Sequence, residues 1–237
     1  MGRRILNTTD STMKEAARVA ASLQAPEWIL ALEQTAGHGR RGRAWTMPRG
    51  NFAATLVMRP TGTPADFALR SFAAALALFD AFVAVSGRSE SFALKWPNDV
   101  LLNGGKVAGI LLEQSGPHLF IGIGVNLVAA PAAAQVEPGA VSPVDLVTET
   151  GALVTPTDFL TPLAAAFARW ESQFVTYGFA PLRQAWLNRA ARLGQPIRAR
   201  TATEEFHGTF ETVDAQGNLI LSMSRGRLAL PAADVFF

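Results

Sequence analysis

Between residues 37 and 49 the chain sets Arg40, Arg41, Arg43 and Arg49 among Gly37, Gly39 and Gly42. Glycines let backbone N–H groups approach an anion closely, and guanidinium forks match phosphate oxygens. Trp45, just beyond, has the flat face needed to cover a purine. Two plainer readings compete: a basic surface loop, and an RNA-binding segment, the latter weakened by the lack of interleaved aromatics. Lys95-Trp96-Pro97-Asn98-Asp99 and Lys106-Val107-Ala108-Gly109-Ile110 form a second group. Each lysine ends or begins an apolar strand, and burying an ammonium is costly unless an anion meets it. An anionic ligand or Asp99 would do so; a pair of snorkelling surface lysines is the simpler alternative. Ser11-Thr12 opens a helix, where capping and ligand binding by free N–H groups are compatible roles. Gly122-Ile123-Gly124-Val125-Asn126 puts glycines in a strand, as close approach of a ligand requires, with Asn126 able to read a base edge.

Other patterns fail on context. Gly37-x-Gly39-x-x-Gly42 imitates a dinucleotide fingerprint, but Pro48, Gly50 and Asn51 follow where a helix is needed. Ser11-x-x-Lys14 has no accompanying Ser-Asp-Asn or Lys-Thr-Gly triplet. Gly104-Gly105-Lys106 lacks the Ser or Thr of a P-loop. His38, His118 and His207 have no metal-ligand spacing.

The elements that must position these residues follow from periodicity. Strands are expected at Arg4–Asn7, Trp28–Gln34, Phe52–Met58, Phe92–Lys95, Val100–Leu102, Lys106–Glu113 and Leu119–Asn126. Asn103-Gly104 predicts a tight hairpin turn. Helices are expected at Met13–Leu23, with Thr12 and Glu15 at capping-box spacing, and at Ala65–Val85. A further helix starts at Thr155-Pro156, with Phe159, Leu163, Phe167, Trp170 and Phe174 on one face, and another spans Leu182–Arg192. Val128–Val144, rich in Ala and Pro, reads as a loop. After Gly194 the alternation changes to short strands at Ile197–Arg200, Glu205–Val213, Leu219–Met223 and Leu228–Pro231, which predicts a small β-barrel.

Composition bounds the rest. With 49% hydrophobic and 17% charged residues, the chain has ample material for a core and is not disordered. It has no cysteine, which excludes disulfides, thiolate catalysis and cysteine zinc sites and fits a cytoplasmic protein. No signal segment is expected, and the apolar run Phe72–Val85 is too short to span a bilayer, so no membrane partner is expected. A net charge of +2 does not suit a general nucleic-acid binder.

In this order, Ser11-Thr12, the Gln34–Trp45 loop, Lys95–Asp99, Lys106–Ile110, Gly122–Asn126 and a C-terminal small barrel resemble the biotin protein ligase family. The resemblance covers almost the whole chain. It implies an α+β fold: a catalytic domain like those of class II aminoacyl-tRNA synthetases over residues 1–190, then an SH3-like barrel over 191–237. It implies ATP-dependent biotinylation of a lysine on a biotin carboxyl carrier protein through biotinyl-5′-AMP, with Mg²⁺ carried on the ATP and no fixed protein metal site. Ser11, Thr12, Met13, Gln34, Gly37, His38, Gly39, Arg40, Lys106 and Gly109 would then hold biotin. Arg40, Arg43, Trp45, Lys95, Lys106 and Asn126 would hold the nucleotide, and Arg40 and Lys106 would serve catalysis. A homodimer is compatible with the resemblance. Met13 and His38 depart from the Asn and Arg common at those positions. Some members carry an N-terminal DNA-binding domain; Ser11 lies so near the start that this form, and DNA as a partner, are not expected. The competing readings are a lipoate or octanoate ligase of similar fold and a non-catalytic biotin or adenylate sensor.

Overall fold

The computed structural model describes residues 1–132, 136–137 and 139–237. The larger of its two sheets has seven strands in the order β1 (Gly2–Leu6), β2 (Glu27–Ala31), β3 (Phe52–Met58), β7 (His118–Val125), β6 (Gly105–Ser115), β5 (Asp99–Leu102) and β4 (Phe92–Lys95). Only β1 and β2 run parallel, and helix α1 (Thr12–Val19) lies in the crossover between them. The other neighbours are antiparallel.

Alternation along the strands divides the sheet's two faces. Trp28, Leu30, Leu56, Ile121 and Ile123 point into the main core. Helices α3 (Arg70–Ser86), α5 (Pro156–Tyr177) and α6 (Phe179–Leu187) cover that face. Phe159 of α5 packs edge-on against Phe52, and Phe167 against Trp28, with centroids 5.3 and 6.0 Å apart. Arg70, 2% exposed, is tolerated between helices because Glu171 takes a forked pair of bonds at 2.8 and 2.9 Å. The opposite face turns Ile29, Val57 and Phe120 toward Met13 and Ala16 of α1 and Ala20 just after it. Beyond Phe120, the same parity places Gly122 and Gly124 on this face, with Gly109 paired to Gly124 across β6. Side chains are missing where α1 no longer covers the sheet.

Several expectations need correction. The capping box forms at Thr63 and Asp66, ahead of α2 (Pro64–Ala68), and not at Thr12 and Glu15. Ser11 is the N-cap of α1 without a side-chain bond, and Thr12 is the first helical residue. The helix expected from Ala65 to Val85 is two pieces meeting at Leu69. The Val128–Val144 stretch partly falls on residues 133–135 and 138, outside those described. Its end pairs with the sheet: Lys106 N–H donates to Ser142 O and Val144 N–H to Lys106 O. A short helix α4 (Leu146–Thr150), capped by Asp145, follows. The Asn103-Gly104 turn has the expected positive φ at both positions, 49° and 84°.

The second sheet has the order β11 (Gly226–Leu230), β10 (Leu219–Met223), β9 (Glu205–Val213), β8 (Pro196–Arg200) and β12 (Asp234–Phe236). The last strand was not foreseen. Phe210 of β9 packs on Trp186 of α6 at 6.4 Å, and Trp96 donates to Gly217 O at 3.0 Å, so the barrel is seated on the larger sheet's end.

Candidate active site

A cavity of about 630 Å³ opens over the glycine-lined patch. Its inner end is built on a relay of hydroxyls. Thr55 donates to Thr12 Oγ1 at 2.8 Å, and both the backbone N–H and the hydroxyl of Thr12 donate to Gln34 Oε1, at 2.7 and 3.1 Å. With its oxygen used twice, Gln34 offers its amide nitrogen as donor to an acceptor group of a ligand. Met13 closes this end, and its thioether fills the space that a Cβ at Gly122 would take, 2.7 Å from Sδ. The wall is uncharged and suits a small apolar body with a polar handle.

The arginine loop is a miniature hairpin. Gly39 N–H donates to Arg43 O at 2.8 Å and Trp45 N–H to Gly37 O at 3.0 Å, while Arg41 and Gly42 turn through positive φ of 56° and 71°. Carboxylates from elsewhere in the chain meet this turn from outside. Arg40, Arg41 and Arg43 approach the carboxylate of Asp234 at 3.6, 3.0 and 3.2 Å. Arg43 also meets Glu137 at 2.9 Å, and Arg40 donates to Asn98 Oδ1 at 3.4 Å. Burial lowers the Arg40 guanidinium below the usual arginine value, against the pull of Asp234 and Asp99. Trp45 lies on the glycine patch: a Cβ at Gly124 would sit 2.3 Å from its ring, and one at Gly109 3.3 Å. His38 reaches Glu113 on β6 at 3.2 Å.

Between these ends stands a charge triad in which Asp99 and Lys95 are buried. Asp99 Oδ1 is 2.6 Å from Lys106 Nζ, and Asp99 Oδ2 is 3.4 Å from Lys95 Nζ. Burial by itself would raise the Asp99 carboxyl, but the Lys106 and Lys95 ammoniums hold it below the ordinary carboxylate value. Burial pulls Lys95 below the ordinary lysine value, opposed by Asp99. Lys106, about one-third exposed, faces the cavity and stands 5.8 Å from the Trp45 ring. It can offer a fixed positive charge to an anion entering beside Trp45.

The cavity brings together Ser11, Thr12, Met13, Gln34, His38, Gly39, Arg40, Arg43, Trp45, Lys95, Lys106, Gly109 and Asn126. Gly37 is set back, and its missing Cβ lets Gln34 and the Trp45 carbonyl pack close. Asn126 spends its amide on Val144 O at 3.0 Å, so it braces the segment beside the cavity. Sequence reasoning missed Thr55, Glu137 and Asp234 and gave Asn98 no task. Thr55 alone carried a signal, a hydroxyl within an otherwise apolar strand.

Residues 1–126 match the biotin/lipoate A/B protein ligase family, and residues 193–237 match the biotin protein ligase C-terminal domain. The chain belongs to the biotin/lipoate A/B protein ligase family. It is 58% identical to the biotin–[acetyl-CoA-carboxylase] ligase of Paracoccus denitrificans, over 98% of this chain and 99% of that one. It is 30% identical to the bifunctional ligase/repressor BirA of Bacillus subtilis, over 98% of this chain and 71% of that one. Among solved structures, the biotin protein ligase from Aquifex aeolicus in complex with biotin and ATP superposes with a TM-score of 0.85 at 20% identity, covering 99% of this chain and 97% of that one. The family fold is thus present: a mixed sheet with helices, followed by a small SH3-like β domain.

Proposed function

We propose that this chain is a biotin ligase: it joins biotin to ATP as biotinyl-5′-AMP with loss of diphosphate, then passes the biotinyl group to a lysine of a biotin carboxyl carrier protein. The name of its Paracoccus relative supports the acid and the acceptor. The observation that carries the chemistry is the convergence, in one cavity, of the neutral Thr12–Gln34 end with Arg40 and the Lys106–Asp99 pair. Biotin's ring takes the inner end, where the Gln34 amide donates to its carbonyl oxygen. Its carboxylate then lies toward Lys106, and the nucleotide's α-phosphate toward Gly39 and Arg40, with adenine against Trp45. Mg²⁺ enters on the ATP as part of that substrate.

Attack of a carboxylate oxygen on the α-phosphorus brings two anions together and breaks the bond to diphosphate, which leaves with the electron pair. Lys106 and Arg40 offset the repulsion, and being held beforehand by Asp99 and Asn98 they need little reorganisation. In the second step a neutral lysine amine of the carrier attacks the acyl carbon and AMP departs. With no cysteine to oxidise, the cytoplasm is the expected compartment.

Purified protein with ATP, Mg²⁺, an equimolar mixture of biotin and lipoate, and an apo carrier domain, read by intact mass, tests this. A carrier gaining one biotinyl group is expected. A lipoyl gain alone would move the assignment to the other acid, and no gain at all would favour a sensor.

A further inference from the structure

An acyl-adenylate is open to attack by any neutral amine, and the protein carries amines of its own. A lysine held against the acyl carbon would react ahead of any carrier, since fixed proximity is worth an effective concentration on the order of 10⁵ M. The sequence holds 21 lysines and arginines, and only Lys14, Lys95 and Lys106 are lysines. Arginine stays protonated and does not acylate, so Arg40 and Arg43 supply the cavity wall with charge but no nucleophile. Lys14 is exposed on α1 and lies outside the cavity, whereas Lys95 and Lys106 both line it. These two share one carboxylate: Asp99 Oδ1 stands 2.6 Å from Lys106 Nζ and Asp99 Oδ2 3.4 Å from Lys95 Nζ. Lys95 also has the Phe237 ring 5.7 Å from its Nζ. An ammonium paired with a carboxylate has no lone pair to offer. Without Asp99, two ammoniums would repel each other across a space where Lys95 is buried, and loss of one proton would relieve both the repulsion and the desolvation. Burial and the nearby Lys106 charge already draw Lys95 below the ordinary lysine value.

We propose that Asp99 guards the protein against its own intermediate, holding Lys106 and Lys95 as ammoniums so that only an incoming lysine takes the acyl group. This rests on the ligase reading above for the intermediate, and on the Lys95–Asp99–Lys106 geometry for the guard. The step it prevents is acyl transfer to Lys106. There the Nζ lone pair would attack the acyl carbon and form an amide bond. The bond from that carbon to the phosphate oxygen would break, AMP would leave with its electron pair, and the surplus amine proton would pass to water. The chain would then be acylated on the cation that it needs for the next turnover. Asp99 thus acts as a positioning residue, through the two lysines and on the choice of nucleophile.

Parent, Asp99→Asn and Asp99→Glu, each first shown to be folded by circular dichroism, are incubated without carrier, one arm with synthetic biotinyl-5′-AMP and one with acetic anhydride. Peptide mass mapping reads acylation at Lys106 and Lys95, with exposed Lys14 as the internal reference. In the parent Lys14 should label first. Asp99→Asn should raise labelling of Lys106 or Lys95 relative to Lys14 on the order of tenfold. Asp99→Glu, which keeps a carboxylate, should return toward the parent. A folded Asp99→Asn that biotinyl-5′-AMP labels no more at either lysine would overturn the guard. So would a parent in which Lys106 labels ahead of Lys14, an order that decides the matter even where Asp99→Asn does not fold. The anhydride arm stands apart from the ligase reading. An Asp99-dependent rise there, in a protein that makes no biotinyl-5′-AMP from biotin and ATP, would overturn that reading and leave the control of the two amines standing.

Discussion

At the scale of single residues, Asp99 decides how much charge the cavity can hold. It sits between two ammoniums, one buried with it and one facing the ligand space. Asp99→Asn leaves Lys95 buried beside a neutral amide, a loss of about 3 kcal/mol in stability. Because the folded carboxyl lies below its ordinary value, the stability it adds is fully present above about pH 4 and is lost as pH falls through the lower folded value. Melting curves of parent and variant should therefore differ most near neutrality and converge on the acid side. Lys106→Ala, by contrast, removes the cation proposed to meet the reacting carboxylate and should lower the rate of adenylate formation on the order of 10²–10³-fold, read as diphosphate release. His38 bonds Glu113 across the rim, an exposed contact of small worth. An arginine there reaches further and keeps its charge, so His38→Arg should bind biotin more tightly by calorimetry.

At the scale of elements, the site exists because one strand face runs Phe120, Gly122, Gly124. The first packs under α1, and the glycines leave room for Met13 and Trp45. Gly124→Ala would place a methyl group inside the indole ring. Trp45 must then lift, and the KM for ATP should rise on the order of tenfold while β7 stays paired. This part was legible in the sequence, since glycines interrupting an apolar strand announce a close approach. So was the meeting of Arg40, Arg43 and the two lysines at one cavity, which their types and flanking strands suggested. The Thr12–Glu15 capping box was misread for a physical reason. Thr55, buried in a neighbouring strand, draws the Thr12 hydroxyl into the relay to Gln34, a tertiary contact that local spacing does not contain. Asp234 stayed invisible because β12 is three residues long and its value lies wholly in partners supplied by other elements.

At the scale of the whole molecule, barrel and catalytic sheet share apolar surface as well as charge. Phe210 is 2% exposed and rests on Trp186, which in turn meets Phe72 of α3. Phe210→Ala should cost about 3–5 kcal/mol, and tryptophan fluorescence and circular dichroism should report one coincident unfolding transition in denaturant. The Asp234 contact has a further consequence. A chain made from its N-terminus exposes Arg41 long before its partner exists, because the two are 193 positions apart. Glu137 can reach Arg43 earlier, but Arg41 waits for the last strand. Only when β12 docks does the hairpin gain the Asp234 carboxylate, so the cavity wall is completed late.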